Sequence, residues 1–246
     1  METNEKKALL MKIQRAPELY AMMSVCTQMP YVYCEPETFD DQIFLFFKEA
    51  DAKKMAQDFK AKEIPMLPMK LTGKQYLSFY TGLYTMGVNG ISVDFGTKDA
   101  WSFQLSELVK RPDASKLPEG QVLVENPELQ LTALYYMQEV RRKPGIGQDP
   151  KFREMEEEMT AHFRKGKYIV PVKDKSNVPF IKLQNDEVYQ PIFTDMPEFM
   201  KFNRKGEFRA AVIPHEKLPE ITLPQAKGLI VNPMGIRLLL NKGQIK

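Results

Sequence analysis

The sequence predicts an α/β (α+β) fold in two similar domains, each a mixed β-sheet covered by helices. Three observations lead there. Short apolar runs such as Ile43-Phe44-Leu45-Phe46-Phe47 alternate with stretches whose apolar residues recur at helical spacing. The 246 residues exceed one small domain and suit two of ordinary size. The chain also nearly repeats itself. Tyr76-Leu77-Ser78-Phe79-Tyr80-Thr81 returns as Tyr189-Gln190-Pro191-Ile192-Phe193-Thr194, and Leu123-Val124-Glu125-Asn126-Pro127 returns as Leu229-Ile230-Val231-Asn232-Pro233. Two matches in the same order predict tandem copies of one fold, the first of them degraded.

In the first copy, residues 5–24 read as helix because Leu9, Leu10, Ile13, Ala16, Leu19, Met22 and Met23 form one apolar stripe. Pro17 either kinks that helix or opens a second one. Residues 43–47 are too short for a buried helix and too aromatic for a loop, which makes them a buried strand. A helix near 49–62 comes next, with Ala52, Met55, Ala56 and Phe59 on one face and lysines on the other. Residues 65–71 read as a strand, Gly73 as a turn, and residues 76–80 as the next strand. A short helix begins after Thr81, and residues 91–95 form another strand. Trp101 to Phe103 belongs to a strand or caps the core. Residues 112–120 are a loop and 121–125 a strand. Asn126-Pro127 then starts a helix to Arg142, with Asn as N-cap and Pro at the first helical position.

Pro144-Gly145-Ile146-Gly147-Gln148-Asp149-Pro150 packs two prolines and two glycines between helical patterns. It reads as a linker at 144–149, separating domains 1–143 and 150–246. Beyond it lies a helix near 150–165 striped by Phe152, Met155, Met159 and Phe163. Strands are expected at 168–172, 179–183 and 188–193, with Asn185-Asp186 as a turn that tolerates positive φ. Asp195 with Glu198 three residues later fits a capping box opening a helix. Strands at 208–213 and 229–231 come next. Asn232-Pro233-Met234-Gly235 has the residues of a tight turn into residues 236–240.

Tyr168-Ile169-Val170-Pro171-Val172, Tyr189-x-x-Ile192-Phe193-Thr194-Asp195 and Gly228-Leu229-Ile230-Val231-Asn232-Pro233 together carry a family likeness. Residues 150–246 resemble the N-terminal domain of the SseB family, the enhanced serine sensitivity proteins. The likeness reaches the first copy through Phe79-Tyr80-Thr81 and Val124-Glu125-Asn126-Pro127. That copy departs by inserting the helix near 49–62, by placing Gly82 where Asp195 stands, and by following Asn-Pro with a helix. The resemblance implies a compact α/β domain, bacterial and cytoplasmic, with no established reaction.

Composition agrees with a globular chain: 43% of residues are hydrophobic and 27% charged. A net charge of +3, with both signs interspersed, lacks the concentrated basic surface of a nucleic-acid binder. No run approaches the ~18 apolar residues of a membrane span. Residues 1–12 are charged around a short apolar cluster, unlike a secretory signal. Cys26 and Cys34 read as buried thiols of a reducing compartment rather than a disulfide framework. The expected location is the cytoplasm.

Chemistry is sparse. His162 and His215 are the only histidines, and with the two cysteines they show no metal-ligand spacing. His162 reads as a half-buried helix residue and His215 as solvated. Gly-x-Ser-x-Gly, a Walker loop and a dinucleotide fingerprint are absent from the sequence. Asp40-Asp41 and Asp94 with Asp99 could hold a hard cation, though loop carboxylates are usually solvated. No cofactor or metal is expected. Thr194 and Asp195 stand where a strand meets a helix, where backbone N–H groups can hold an anion unless Asp195 caps them first. Asn232 either bonds its own turn or, with Thr194, Asp195 and Arg237, frames a shallow pocket. Two functions remain. One is a non-catalytic protein-interaction module; the alternative is a sensor binding an amino acid or anionic metabolite at Thr194, Asp195, Asn232 and Arg237.

Overall fold

The computed structural model describes residues 3–111, 118, 122–145, 149–173 and 178–245. It contains helices and mixed sheets in two compact units, Met1–Asp113 and Ala114–Lys246.

The first unit runs α1 (Thr3–Arg15), β1 (Glu18–Ser24), β2 (Tyr33–Cys34), β3 (Asp41–Phe46), α2 (Glu49–Lys60), β4 (Met66–Thr72), α3 (Gly73–Thr85), β5 (Gly90–Val93), β6 (Trp101–Gln104) and α4 (Leu105–Leu108). The sheet order is β4-β1-β3-β5-β6, with β2 along β3. All neighbours are antiparallel except β3 and β5. Tyr20, Met22, Phe44 and Phe46 of the central strands pack with Ala52 and Met55 of α2 and Met66 of β4.

Two expectations fail in this unit. The helix expected over residues 5–24 ends at Arg15, and strand β1 takes over at Glu18. Pro17 denies the helix an N–H. Leu19, Tyr20, Ala21 and Met22 are all buried, as suits a strand covered on both faces. A continuous apolar run satisfies both periods, and only its environment separates them. Conversely, the strand expected at 76–80 lies within α3. Tyr76, Tyr80 and Leu83 form its buried stripe. Gln75 Oε1 accepts the Thr72 N–H at 2.9 Å, so the segment starts a helix where a turn was expected.

The second unit runs α5 (Pro127–Arg142), α6 (Pro150–Lys165), β7 (Lys167–Val172), β8 (Ile181–Lys182), β9 (Val188–Ile192), α7 (Met196–Phe202), β10 (Arg209–Pro214), α8 (Leu218–Ile221), β11 (Gly228–Val231) and β12 (Leu238–Asn241). β10 pairs antiparallel with β7. A second sheet has the order β12-β11-β9-β8, with only β9 and β11 parallel. The two sheets meet at one antiparallel bridge, where Ile169 and Phe193 exchange both backbone hydrogen bonds at 2.9 Å.

Across that bridge the strand path is β10-β7-β9-β11-β12, with β8 on β9. This is the order and direction of the first unit's strands. The chain therefore holds two units of one topology, but not in the register of the matched motifs. The match at 76–81 pairs helix α3 with strand β9. The match at 123–127 lies inside the second unit, and its described residues 122–126 form no strand. The true counterpart of Gly228-Leu229-Ile230-Val231-Asn232 is Gly90-Ile91-Ser92-Val93-Asp94. Gly90 is in register with Gln42 of β3 as Gly228 is with Tyr189 of β9. Lys48, two positions after Phe46, therefore stands where Asp195 follows Phe193, and Gly82 does not.

The domain boundary also moves. The segment 144–149 joins α5 to α6 within one unit rather than two domains, and residues 146–148 lie outside the described residues. The two helices pack together, with Tyr136 stacked on Phe152 at 4.6 Å between ring centroids. Proline and glycine punctuate a helix hairpin as readily as a linker. The loop expected at 112–120 lies outside the described residues, apart from Pro118.

Candidate functional site

Three of the four expected site residues meet. Thr194 follows β9, Asp195 caps α7 and Asn232 follows β11. Each is at most 1% exposed. The parallel pairing of β9 and β11 brings these strand ends side by side. The Asn232 N–H donates to the Ile192 carbonyl at 2.9 Å, which continues the ladder by one residue. Asn232 then takes φ 48°, a left-handed conformation that Asn tolerates better than most residues. Its side chain turns back across the strands. Oδ1 accepts the Thr194 N–H at 3.0 Å, and Nδ2 donates to Thr194 Oγ1 at 2.7 Å. The Thr194 hydroxyl donates in turn to Asp195 Oδ2 at 2.7 Å. The Gly235 N–H closes the turn onto the Asn232 carbonyl at 2.9 Å, as its residues predict.

The first unit has the acceptor half of this clasp. Asp94 takes φ 49°, its N–H donates to Leu45 at 2.9 Å, and its Oδ1 accepts the Phe47 N–H at 3.0 Å. Burial raises the Asp94 carboxyl above its ordinary range, against the pull of the Phe47 N–H.

Asp195 behaves as the expected cap: Oδ1 accepts the Glu198 N–H at 2.8 Å. Oδ2 accepts a second bond from Gln130 Nε2 of α5 at 2.8 Å. Asn126 was expected to cap α5, but its Nδ2 reaches the carbonyls of Lys167 and Thr194, both at 2.8 Å. Five elements are thus joined through one polar centre: the start of α5, the start of β7, the end of β9, the start of α7 and the turn after β11. Buried polar groups in such a network fix a single arrangement.

Glu198 completes the centre. It is buried, Oε1 pairs with Lys201 Nζ, and Oε2 has no partner among the described residues. A Cβ at Gly235 would stand 2.5 Å from Oε2, so any larger residue there would have to push this carboxyl aside. Burial raises the Asp195 carboxyl. The Glu198 N–H, the Thr194 hydroxyl, Lys201 and Gln130 pull it the other way without cancelling that rise. Burial raises Glu198 as well, and Lys201 opposes it.

Arg237 does not join the centre through its charge. It is exposed at φ 55°, and its N–H donates to the Asn232 carbonyl at 3.0 Å. The backbone ties it to the turn. At the strand–helix junction the Thr194 and Glu198 N–H groups are already occupied by the side chains of Asn232 and Asp195. Helix α7, seven residues long, is too short to supply a terminal anion site of its own. Thr194, Asp195 and Asn232 are held in an interior joint.

Asn126, Gln130, Glu198 and Gly235 are members of this centre that sequence reasoning missed. Gln130 carried a signal, since it precedes Leu134 and Gln138 at helical spacing and all three are buried. Glu198 carried another, as a lone carboxylate between Pro197 and Phe199.

Other candidates scatter. His215 is buried rather than solvated, stands edge-on to Phe163 at 4.9 Å, and leaves Nε2 without a partner among the described residues. Burial, with Arg164 adding to it, lowers its pKa. His162 is half-buried on α6. Cys34 is exposed and Cys26 half-buried, in place of two buried thiols. Asp40 accepts from Asn89 and Gln104, both at 2.9 Å. Among the described residues, no three His, Cys, Asp or Glu side chains gather where a metal ion would sit. No helix among them is long and apolar enough to cross a membrane.

No family model matches the chain, and no curated protein matches it. Among solved structures it is similar to Tic22 from Plasmodium falciparum, at 14% identity and a TM-score of 0.23, over 91% of this chain and 90% of that one. A likeness at that level transfers neither fold nor function.

Proposed function

We propose that the protein is a non-catalytic, cytoplasmic protein-interaction module. The observation that carries this reading is the exposed methionine set around α7. Met196 and Met200 lie one turn apart on the helix, and Met234 lies in the turn that packs against Glu198. They are 46%, 56% and 56% exposed. Flexible, polarizable methionines suit adaptable binding surfaces. The polar residues that could have held a small molecule are meanwhile spent inside the fold. The SseB-like resemblance, which implies no reaction, agrees with this reading.

Affinity purification from the native host tests it, run in parallel with wild type and a Met196→Asp/Met200→Asp variant. We expect a partner recovered reproducibly with wild type and lost with the variant, while both melt at the same temperature. Equal recovery by both, or none by wild type, contradicts the proposal.

A further inference from the structure

Beside the exposed methionines lies a cleft of about 310 Å³, lined by Lys201, Phe202, Arg204, Lys205, Phe208 and Met234, with Asn203 and Glu207 at its wall. Its floor is apolar. Phe202 and Phe208 pack with tilted rings, 5.6 Å between centroids, and Met234 of the turn after β11 completes the lining.

The loop that shapes it is held open from inside. Buried Asn203 donates Nδ2 to the Phe208 carbonyl at 2.8 Å and accepts the Phe208 N–H on Oδ1 at 3.1 Å. Gly206, at φ 67°, lets the chain reverse between them, and its N–H donates to the Asn203 carbonyl at 3.0 Å. A loop fixed this way loses little freedom when a ligand binds.

The rim is positive. Lys173 stands 5.9 Å from the Phe208 ring and pairs with Glu207 at 3.2 Å. Lys201 pairs with buried Glu198. Arg204 donates its Nε to the Lys201 carbonyl at 3.2 Å. Among the described residues, Lys173, Lys201, Arg204 and Lys205 thus face two carboxylates, Glu198 and Glu207, and the surplus sits on exposed Arg204 and Lys205.

We infer that this cleft docks an acidic peptide segment of a partner protein. One apolar anchor side chain would enter between Phe202, Phe208 and Met234, and flanking Asp or Glu residues would meet Arg204 and Lys205. The inference rests on the interaction-module reading and specifies its partner. The apolar floor and Glu207 on the rim favour a peptide over a nucleic-acid backbone, which would need phosphate contacts throughout. Complementary charge of this kind steers encounter and is screened by salt.

The test is a random-peptide display selection on the full chain, followed by titration of synthetic copies of the recovered peptides. The same titration is run on an Arg204→Glu/Lys205→Glu variant and a Met234→Asp variant, all exposed positions. We expect peptides enriched in Asp and Glu around a Phe, Leu or Met. Their binding should weaken about tenfold in each variant, and about tenfold again as salt rises from about 50 to about 500 mM. The salt series keeps the test intact should a variant misfold. Recovered peptides without acidic bias, or bound equally by the variants, overturn the inference yet leave the module reading standing. Recovery of no peptide overturns it too. So does a labelled single-stranded oligonucleotide that binds as tightly as the best peptide.

Discussion

Asn232 does more for this fold than its place in a turn announces. Its side chain makes two bonds to Thr194, and its backbone holds a left-handed conformation. Asn232→Ala loses both bonds and adds strain, so we expect it to cost about 2–4 kcal/mol in urea unfolding. Asn232→Gly loses the bonds but not the conformational ease, and should be the milder by about 1 kcal/mol. Equal stabilities for wild type and both variants would refute the joint.

Glu198 gives a pH prediction. Its carboxyl is raised in the folded state by burial, so its contribution is full below the ordinary carboxylate range and is lost as pH rises through the raised value. Glu198→Gln removes the titration. The stability of wild type relative to this variant should therefore fall as pH rises from the ordinary carboxylate range through the raised value. A relative stability that climbs over that window would contradict the assignment. At this scale Thr194, Asp195 and Asn232 were legible because strand ends and turns mark themselves in sequence. Their burial was not, since it depends on α5 arriving from far along the chain. Arg237 misled because a charge near a motif says nothing about where its guanidinium goes.

At the scale of elements, α2, α6, β3, β4, β7 and β9 are readable from period and caps alone. The two reversals, β1 and α3, share a cause. Both segments carry patterns that fit either element, and packing decides between them. In α3 the Tyr76 hydroxyl donates to the Ala16 carbonyl at 3.0 Å, whereas the buried Tyr80 hydroxyl has no partner among the described residues. An unpartnered buried hydroxyl costs stability that phenylalanine would not. Tyr80→Phe should thus unfold at equal or higher urea, by about 1 kcal/mol at most, while Tyr76→Phe should unfold earlier. The opposite order would show that the helix face is misplaced. The hairpin of α5 and α6 is the element-level surprise. Pro144 and Gly145 looked like a break between domains, yet Asn126 and Gln130 of α5 are spent on β7, β9 and α7.

The molecule as a whole is a topological repeat whose sequence echo had drifted out of register. Strand order and directions survive in both units. So does the residue of positive φ after the parallel strand, Asp94 in one and Asn232 in the other. A duplicated fold was legible from motifs; its true alignment was not, because the matches joined a helix to a strand. What distinguishes the second unit is its polar centre. Lys48 of the first unit stands where the second has Asp195, and Asp94 offers no amide donor where Asn232 does. The second unit therefore needs α5 in a way that the first has no counterpart for.

The most direct measurement compares two fragments, residues 114–246 and 150–246, by urea unfolding and amide dispersion in NMR. We expect the longer fragment to fold cooperatively and the shorter one, deprived of Asn126 and Gln130, to lack a cooperative transition. A fragment 150–246 as well folded and as stable as 114–246 would contradict the account.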